Sequence, residues 1–291
     1  MFTVMMDLQM DFKSDLANIG RIELVNMGYS LPDDLPQDDV SLLYLNALRR
    51  RVPPRPRTLF RSREFECPDP LKKGLELLET KVASGGDLNP HLSRKIVKLK
   101  YDDALLNDWH IYHFHLGTDF MANGLIKGTE IVLFARVTEE CFYEISMAGH
   151  GSWSDTNLIE VLHVNWPDSI SQFRNNGVTG LTHEFNSHDI ERLRKHQINV
   201  GMLKTADGTF YAQPGGGYSL SGMSTAVVMH FNKQVHELRR LEKSVRENFE
   251  TFLPELAKHG YSEGKPLKAE FAFDDSGRYV EFKAYNVRSK V

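Results

Sequence analysis

The sequence predicts an α+β fold: a small antiparallel sheet with two preceding helices in a central block, and a C-terminal α+β block built round one long helix. Three observations carry this. Strand-like runs at 109–116, 130–137 and 141–147 follow one another with no helical pattern between them, which excludes βαβ alternation. Leu71, Leu75, Leu78 and Val82 recur at helical spacing just ahead of those runs. Apolar residues then keep 3/4 spacing across 224–253.

Taken in order, a first helix is expected over 11–27 on the stripe Leu16, Ile19, Leu24 and Val25. The acidic, proline-bearing run 30–39 breaks it. A second helix starts at Asp38 or Asp39, either of which can cap it, and carries Leu42, Leu43, Leu45 and Leu48. Together they make an N-terminal helical segment, 1–48. Next come Arg49, Arg50, Arg51, Arg55, Arg57, Arg61 and Arg63, seven arginines in 15 residues with three prolines among them. Proline removes a backbone donor and fixes φ, so this run suits neither a helix interior nor a central strand. It is expected to be an extended, exposed linker, 49–68.

A central domain is expected over 69–168. Its helix over 69–84 ends at Gly85 and Gly86. A short helix over 90–98 follows, then the three strands, the last two forming a hairpin through Thr138, Glu139 and Glu140. A helix over 155–164, capped by Asp155, closes the block. A C-terminal domain, 181–291, holds a helix over 187–196 and a hairpin of 198–203 with 209–212 turning at Asp207 and Gly208. The long helix and a last hairpin, 268–273 with 278–285, complete it.

Composition narrows the function classes. The net charge is −4, so a nucleic-acid surface has to come from local clustering rather than bulk attraction. No apolar run approaches the ~18 residues that span a bilayer. The first residues carry Asp7 and no basic start, unlike a signal peptide. Cys67 and Cys141 are far apart and lack metal-ligand spacing. A cytoplasmic protein is expected, with no membrane association, disulfide framework or cysteine zinc site.

The densest chemistry lies in Trp109-His110-Ile111-Tyr112-His113-Phe114-His115. Strand alternation puts His113 and His115 on one face with Trp109 and Ile111, and His110, Tyr112 and Phe114 on the other. Imidazoles titrate near neutral pH. His113 and His115 meeting His150, from Gly149-His150-Gly151-Ser152-Trp153, would act as general acid and base or hold a metal. Satisfied core histidines are the plainer alternative. Asp108 is a candidate orienting carboxylate.

Two helices followed by strands reading Trp109-His110-Ile111-Tyr112, Glu130-Ile131-Val132-Leu133-Phe134-Ala135 and Phe142-Tyr143-Glu144-Ile145-Ser146-Met147-Ala148-Gly149-His150 resemble the core of the RelE/ParE-like bacterial toxins. In that superfamily a W-R-I-x-Y strand leads by a hairpin to a strand ending in I-G-H. The likeness covers 69–160 and implies a ribonuclease that works without metal, of the toxin–antitoxin kind. It places His150 at the terminal histidine and His110 where the family's strand arginine stands. That departure matters, because histidine neutralises phosphate only when protonated.

Two other segments suit anions. The arginines from Arg49 to Arg63 match phosphates, or an acidic protein surface. Gly215, Gly216, Gly217 and Ser224 stand before the long helix as a candidate phosphate loop, with Arg192, Arg194, Lys195 and His196 as a basic helix end nearby. Met223 occupies the position where a P-loop needs lysine, so nucleotide hydrolysis is not expected.

The combined expectation is a cytoplasmic nucleic-acid-processing protein, RNA ahead of DNA as its partner, cleaving with His110, His113, His115, His150 and Asp108 and needing no cofactor. The alternatives are a non-catalytic nucleic-acid- or protein-binding regulator, and a metal-dependent hydrolase on His113 and His115. A protein partner or inhibitor, and a homo-oligomer through the 224–253 helix, complete the set.

Overall fold

The computed structural model describes residues 8–149, 151–274 and 276–291. The reading of the first seven residues, His150, and Asp275 of the last turn lie outside the described residues. The architecture is mixed α+β.

Strand β1 (Leu8–Gln9) leads into α1 (Phe12–Asn26), where the Asp11 carboxylate accepts the Ser14 N–H at 3.0 Å and caps the helix. Phe12, Leu16 and Leu24 face inward, whereas Val25 is 58% exposed. After the proline break, α2 (Gln37–Arg49) carries Asp38 and Asp39 in its first turn, where carboxylates favour the helix dipole. Strand β2 (Thr58–Arg61) arises from the arginine segment itself. Helix α3 (Lys72–Ser84) stops at Gly85, whose φ of 78° is open to glycine. The short helix expected over 90–98 is two 3₁₀ turns, Asn89–His91 and Arg94–Val97, separated by extended Leu92.

The expected strand at 109–116 is corrected at its start. Asp103 accepts the Leu106 N–H at 3.1 Å and begins α4 (Ala104–Trp109), and His110 ends it in the left-handed region at φ 55°. Strand β3 is therefore Tyr112–His115. Strands β4 (Ile131–Val137) and β5 (Cys141–Gly149) form the expected hairpin. Helix α5 (Asn157–Asn165) begins where the Asp155 carboxylate accepts the Asn157 N–H at 3.0 Å. Then follow β6 (Arg174–Asn175), α6 (Ser187–Lys195) with its Asn186–Asp189 capping box, β7 (Leu203–Lys204) and β8 (Phe210–Tyr211). Helix α7 (Thr225–Glu247) ends earlier than its apolar spacing suggests, and a 3₁₀ turn separates it from α8 (Leu253–Lys258). Strands β9 (Leu267–Lys268), β10 (Glu270–Asp274), β11 (Gly277–Phe282) and β12 (Val287–Lys290) finish the chain.

These elements form two compact units, Asn46–Val228 and Met1–Leu45 with Met229–Val291. The four-part division of 1–48, 49–68, 69–168 and 181–291 is overturned. The 49–68 stretch lies within one unit because β2 pairs with β5, and the C-terminal block is split between Val228 and Met229.

In the Asn46–Val228 unit the sheet runs β2-β5-β4-β3, with β2 parallel to β5 and the rest antiparallel. Both faces are covered. Phe114, Leu133 and Phe142 pack with Leu75, Leu78 and Val82 of α3. On the other face Ile111, Val132, Phe134 and Ile145 pack with Leu158 and Leu162 of α5 and Ile190 of α6. Register sets His113 opposite Phe134 and His115 opposite Val132, so both imidazoles belong to this second face.

In the other unit, Phe12 and Leu16 of α1 pack with Leu238 and Val245 of α7 and with Phe271 and Phe282 of the sheet β10-β11-β12. The Asp15 carboxylate accepts the Phe271 N–H at 2.7 Å, tying the helix to the sheet. Among the described residues no helix is long and apolar enough to cross a membrane.

Candidate active site

A cleft of about 460 Å³ opens in the Asn46–Val228 unit. Four pieces of chain line it: His113 of β3, the Tyr101-Asp102-Asp103 segment that starts α4, Trp153 and Ser154 before α5, and Glu191, Arg194 and Lys195 of α6, with Lys95 at its edge. This volume suits a ligand of roughly nucleotide size, within the ~300–1,000 Å³ of typical ligand pockets.

The three histidines of the 109–115 stretch have separate surroundings. His113 is 7% exposed, and its ring centre lies 4.5 Å from that of Trp153. It is the one that lines the cleft. The His115 ring is edge-on to it at 6.2 Å, but its Nδ1 accepts the Thr129 N–H at 3.0 Å. In the neutral ring that bond leaves the proton on Nε2 and uses the ring to hold the loop before β4. His110 caps α4. Burial, then the charges of Arg49 and Arg136, push its pKa down to about 3. His110 is therefore neutral near pH 7 and does not replace an arginine as a phosphate counter-charge. His150 lies outside the described residues, so no geometry joins it to His113 or His115. Among the described residues no three His, Cys, Asp or Glu side chains converge as a metal site would require.

Asp108 pairs with an arginine and, among the described residues, orients no histidine. It is fully buried and accepts Arg194 Nε at 2.5 Å. Burial raises its pKa and Arg194 opposes the rise. Arg194, 7% exposed, also lies 4.2 Å over the Trp109 ring and donates to the Trp153 carbonyl. Its Nη2 is buried without a hydrogen-bond partner among the described residues.

The Asp102 carboxylate completes the set. Oδ1 accepts from Asn107 Nδ2, whereas Oδ2 is buried and has no partner among the described residues. Burial pushes its pKa up to about 6, against the Asn107 bond, with Asp103 adding to the rise and Arg50 and Arg49 opposing it. Beside it the Tyr101 hydroxyl donates to Asp103 at 3.3 Å, and Lys95 sits 5.5 Å over the Tyr101 ring. The cleft thus joins an imidazole, a carboxyl that titrates near neutrality and three cationic side chains, Lys95, Arg194 and Lys195.

The arginine segment is not an exposed linker. Arg50, 4% exposed, donates to the carbonyls of Asn46, Lys98 and Leu99. Arg57, 6% exposed, donates to Thr138 at 2.8 Å. Arg49 reaches the carbonyls of Leu106 and Gly215, and Arg51 that of Ala47. Arg55 pairs with Glu139, and Arg61 with Glu144 and Glu79. Arg63 is exposed. A guanidinium's planar fork matches carbonyls as readily as phosphates, and here most of it is spent on this chain. Glu139 and Glu140 also line the surface beside Arg55 and Arg57, which sets like charge against a phosphate track.

The glycine loop is likewise engaged. Gly215 N–H donates to Asp108 O at 2.8 Å, Gly216 to Gln213 O at 3.0 Å and Gly217 to Asn107 O at 2.8 Å. Ser224 is 1% exposed. A Cβ on Gly215 would lie 2.1 Å from the Asn107 carbonyl, so glycine is there for close packing against α4. Those three donors are not open to a phosphate.

Asp102, Tyr101 and Lys95 carry no motif in the sequence. Arg194 and Lys195 are visible as a basic helix end, yet the sequence assigns them to the glycine loop. No family model, curated protein or solved structure matches this chain.

Proposed function

We propose that this chain processes RNA, cleaving a phosphodiester by acid–base chemistry in the His113 cleft without a metal. One observation carries the reading: His113 shares a single nucleotide-sized cleft with Lys95, Arg194 and the Asp102 carboxyl. In such a site the cations neutralise the phosphate while a positioned imidazole handles the proton of the leaving oxygen. The arrangement differs from the four-histidine site expected from the sequence, since His110 is neutral and His115 holds a loop. The likeness to RelE/ParE-like toxins belongs to this proposal; the antiparallel order β5-β4-β3 behind α3 supports it, and the helical placement of Trp109 counts against it.

The test is cleavage of single-stranded RNA by the purified protein in the presence of a chelator. Cleavage is expected, and His113→Ala should abolish it while leaving the protein folded. Equal cleavage by the variant, or none by the wild type, overturns the reading.

A further inference from the structure

Strand β2 stands at one end of the order β2-β5-β4-β3, and among the described residues it pairs with β5 alone. Thr58 N–H donates to Glu140 O at 2.8 Å and Ser62 N–H to Glu144 O at 3.0 Å, so the parallel ladder engages positions 58, 60 and 62. The backbone groups of Leu59 and Arg61 therefore point away from β5, and among the described residues neither N–H meets a partner. The next outward positions are closed. Arg57 N–H donates to Val82 O at 3.0 Å, and Arg63 N–H to Asn165 Oδ1 at 3.1 Å. What stays open is a short window symmetric about Phe60, on a strand whose Thr58, Phe60 and Arg61 are exposed. Unpaired backbone groups on an exposed edge are a template for another strand.

That symmetry selects the occupant. In an antiparallel pair centred on Phe60, Leu59 of one copy lies opposite Arg61 of the other, and each donates its N–H to the carbonyl of the residue it faces. Both open residues are then satisfied in both copies, as an isologous two-fold contact requires. Charge favours the same choice. Arg61 is already paired with Glu144 at 2.8 Å and with Glu79, so an acidic strand would find its cation occupied, whereas two copies bring together neutralised pairs. Phe60, 38% exposed, stacks on Tyr143 at 5.3 Å, and Tyr143 packs on Trp166 at 5.1 Å. Two Phe60 rings meeting at the axis would extend this row across both copies and bury its open end. We propose that β2 is a self-pairing edge, through which two copies of this chain join antiparallel about Phe60 into one continuous sheet. The contact is distinct from pairing through the 224–253 helix, which contributes none of these residues.

The test is sedimentation equilibrium of the full chain at concentrations on the order of 100 µM, because so short a ladder makes a dimer that dissociates on dilution. The mass should approach twice 33.3 kDa. Phe60→Glu sets two carboxylates face to face at the axis and should be monomeric, with unchanged far-UV circular dichroism. A second readout is covalent. Directly opposed residues of a non-hydrogen-bonded pair have Cα atoms about 4.5 Å apart, within disulfide reach. With Cys67→Ser and Cys141→Ser in place, Phe60→Cys should oxidise to a linked dimer, and Thr58→Cys, off the axis, should not. A wild type that stays at 33.3 kDa leaves the edge to a strand of another protein and overturns the proposal. A dimer that survives Phe60→Glu, or equal cross-linking at 58 and 60, also overturns it. Should Phe60→Glu not fold, the two cysteine variants decide.

Discussion

Arg194 and Asp108 meet at 2.5 Å with side-chain exposures of 5% and 0%, joining α6 to α4 beneath the cleft. A buried pair of this kind is costly to form and more costly to break, because removing one partner strands the other charge. Asp108→Ala is expected to destabilise the protein by about 3–5 kcal/mol. The double variant Asp108→Leu with Arg194→Met should regain most of that loss. Urea midpoints of the three proteins check this; a double variant no better than the single one would show that the pair is not the source.

His113 and His115 should separate cleanly. His113→Gln is expected to slow RNA cleavage by roughly a hundredfold or more, the usual worth of a general acid. His115→Ala loses the acceptor of the Thr129 N–H and should cost about 1–3 kcal/mol of stability, with the rate per folded molecule little changed. Single-turnover rates paired with thermal melts distinguish the two outcomes.

Asp102 is expected to set the acidic side of the pH profile of the proposed cleavage. The groups that face it are Asn107, Asp103, Arg50 and Arg49, and it lies near enough to Tyr218 to raise that phenol's pKa. With its pKa pushed up to about 6, the carboxyl is an acceptor above that pH and a neutral acid below it. Cleavage should rise as pH increases through about 6, and Asp102→Asn should remove that limb. A profile of the same shape in the variant would assign the limb to another group.

Arg136 of β4 is a buried cation with no carboxylate partner among the described residues. It is 3% exposed, its Nε and Nη1 have no hydrogen-bond partners among those residues, and the Phe173 ring lies 5.8 Å away. Burial lowers its pKa and only Tyr143 opposes the fall. Arg136→Met keeps most of the stem and removes the desolvated charge, so a gain of about 1–3 kcal/mol is expected. A lower melting temperature would mean that the charge has a counterpart in solution.

Glu144 of β5 should make stability depend on pH. Its carboxylate is fully buried, with Arg61 of β2 at 2.8 Å and Glu79 of α3 also facing it. Burial, opposed by Arg61, pushes its pKa up to about 7 from 4.5. The folded chain then holds this proton more tightly than the unfolded one. The advantage is complete below about pH 4.5 and is lost as pH rises through 7. Glu144→Gln should match the wild type at low pH and exceed it at pH 8 by on the order of 2–3 kcal/mol. A difference independent of pH would exclude titration of Glu144 as the cause.

Periodicity and punctuation made much of this protein legible in one dimension. The Leu75, Leu78 and Val82 stripe with Gly85 defined α3, and the Thr138–Glu140 turn defined the β4–β5 hairpin, because those signals are local: a helix face, a strand alternation, a backbone that needs glycine. Alternation also placed His113 and His115 on one face. What it could not show was where the pattern started. Trp109 looked like the first strand residue, but Asp103 capping the Leu106 N–H made it the last residue of a helix.

The arginine segment and the cleft were decided in three dimensions. Seven arginines between prolines read as solvated, yet carbonyls from 98, 99, 106, 138 and 215 take up the guanidinium groups of Arg49, Arg50 and Arg57. Acceptors that distant along the chain leave no trace at the arginines' own positions. The same holds for the site. Sequence chemistry alone identified the imidazole of His113, since no other residue type titrates unperturbed near neutral pH. Burial and distant contacts selected it over His110 and His115, raised Asp102 toward neutrality and set both in the cleft that Arg194 also lines, because desolvation and hydrogen bonding are properties of the packed molecule.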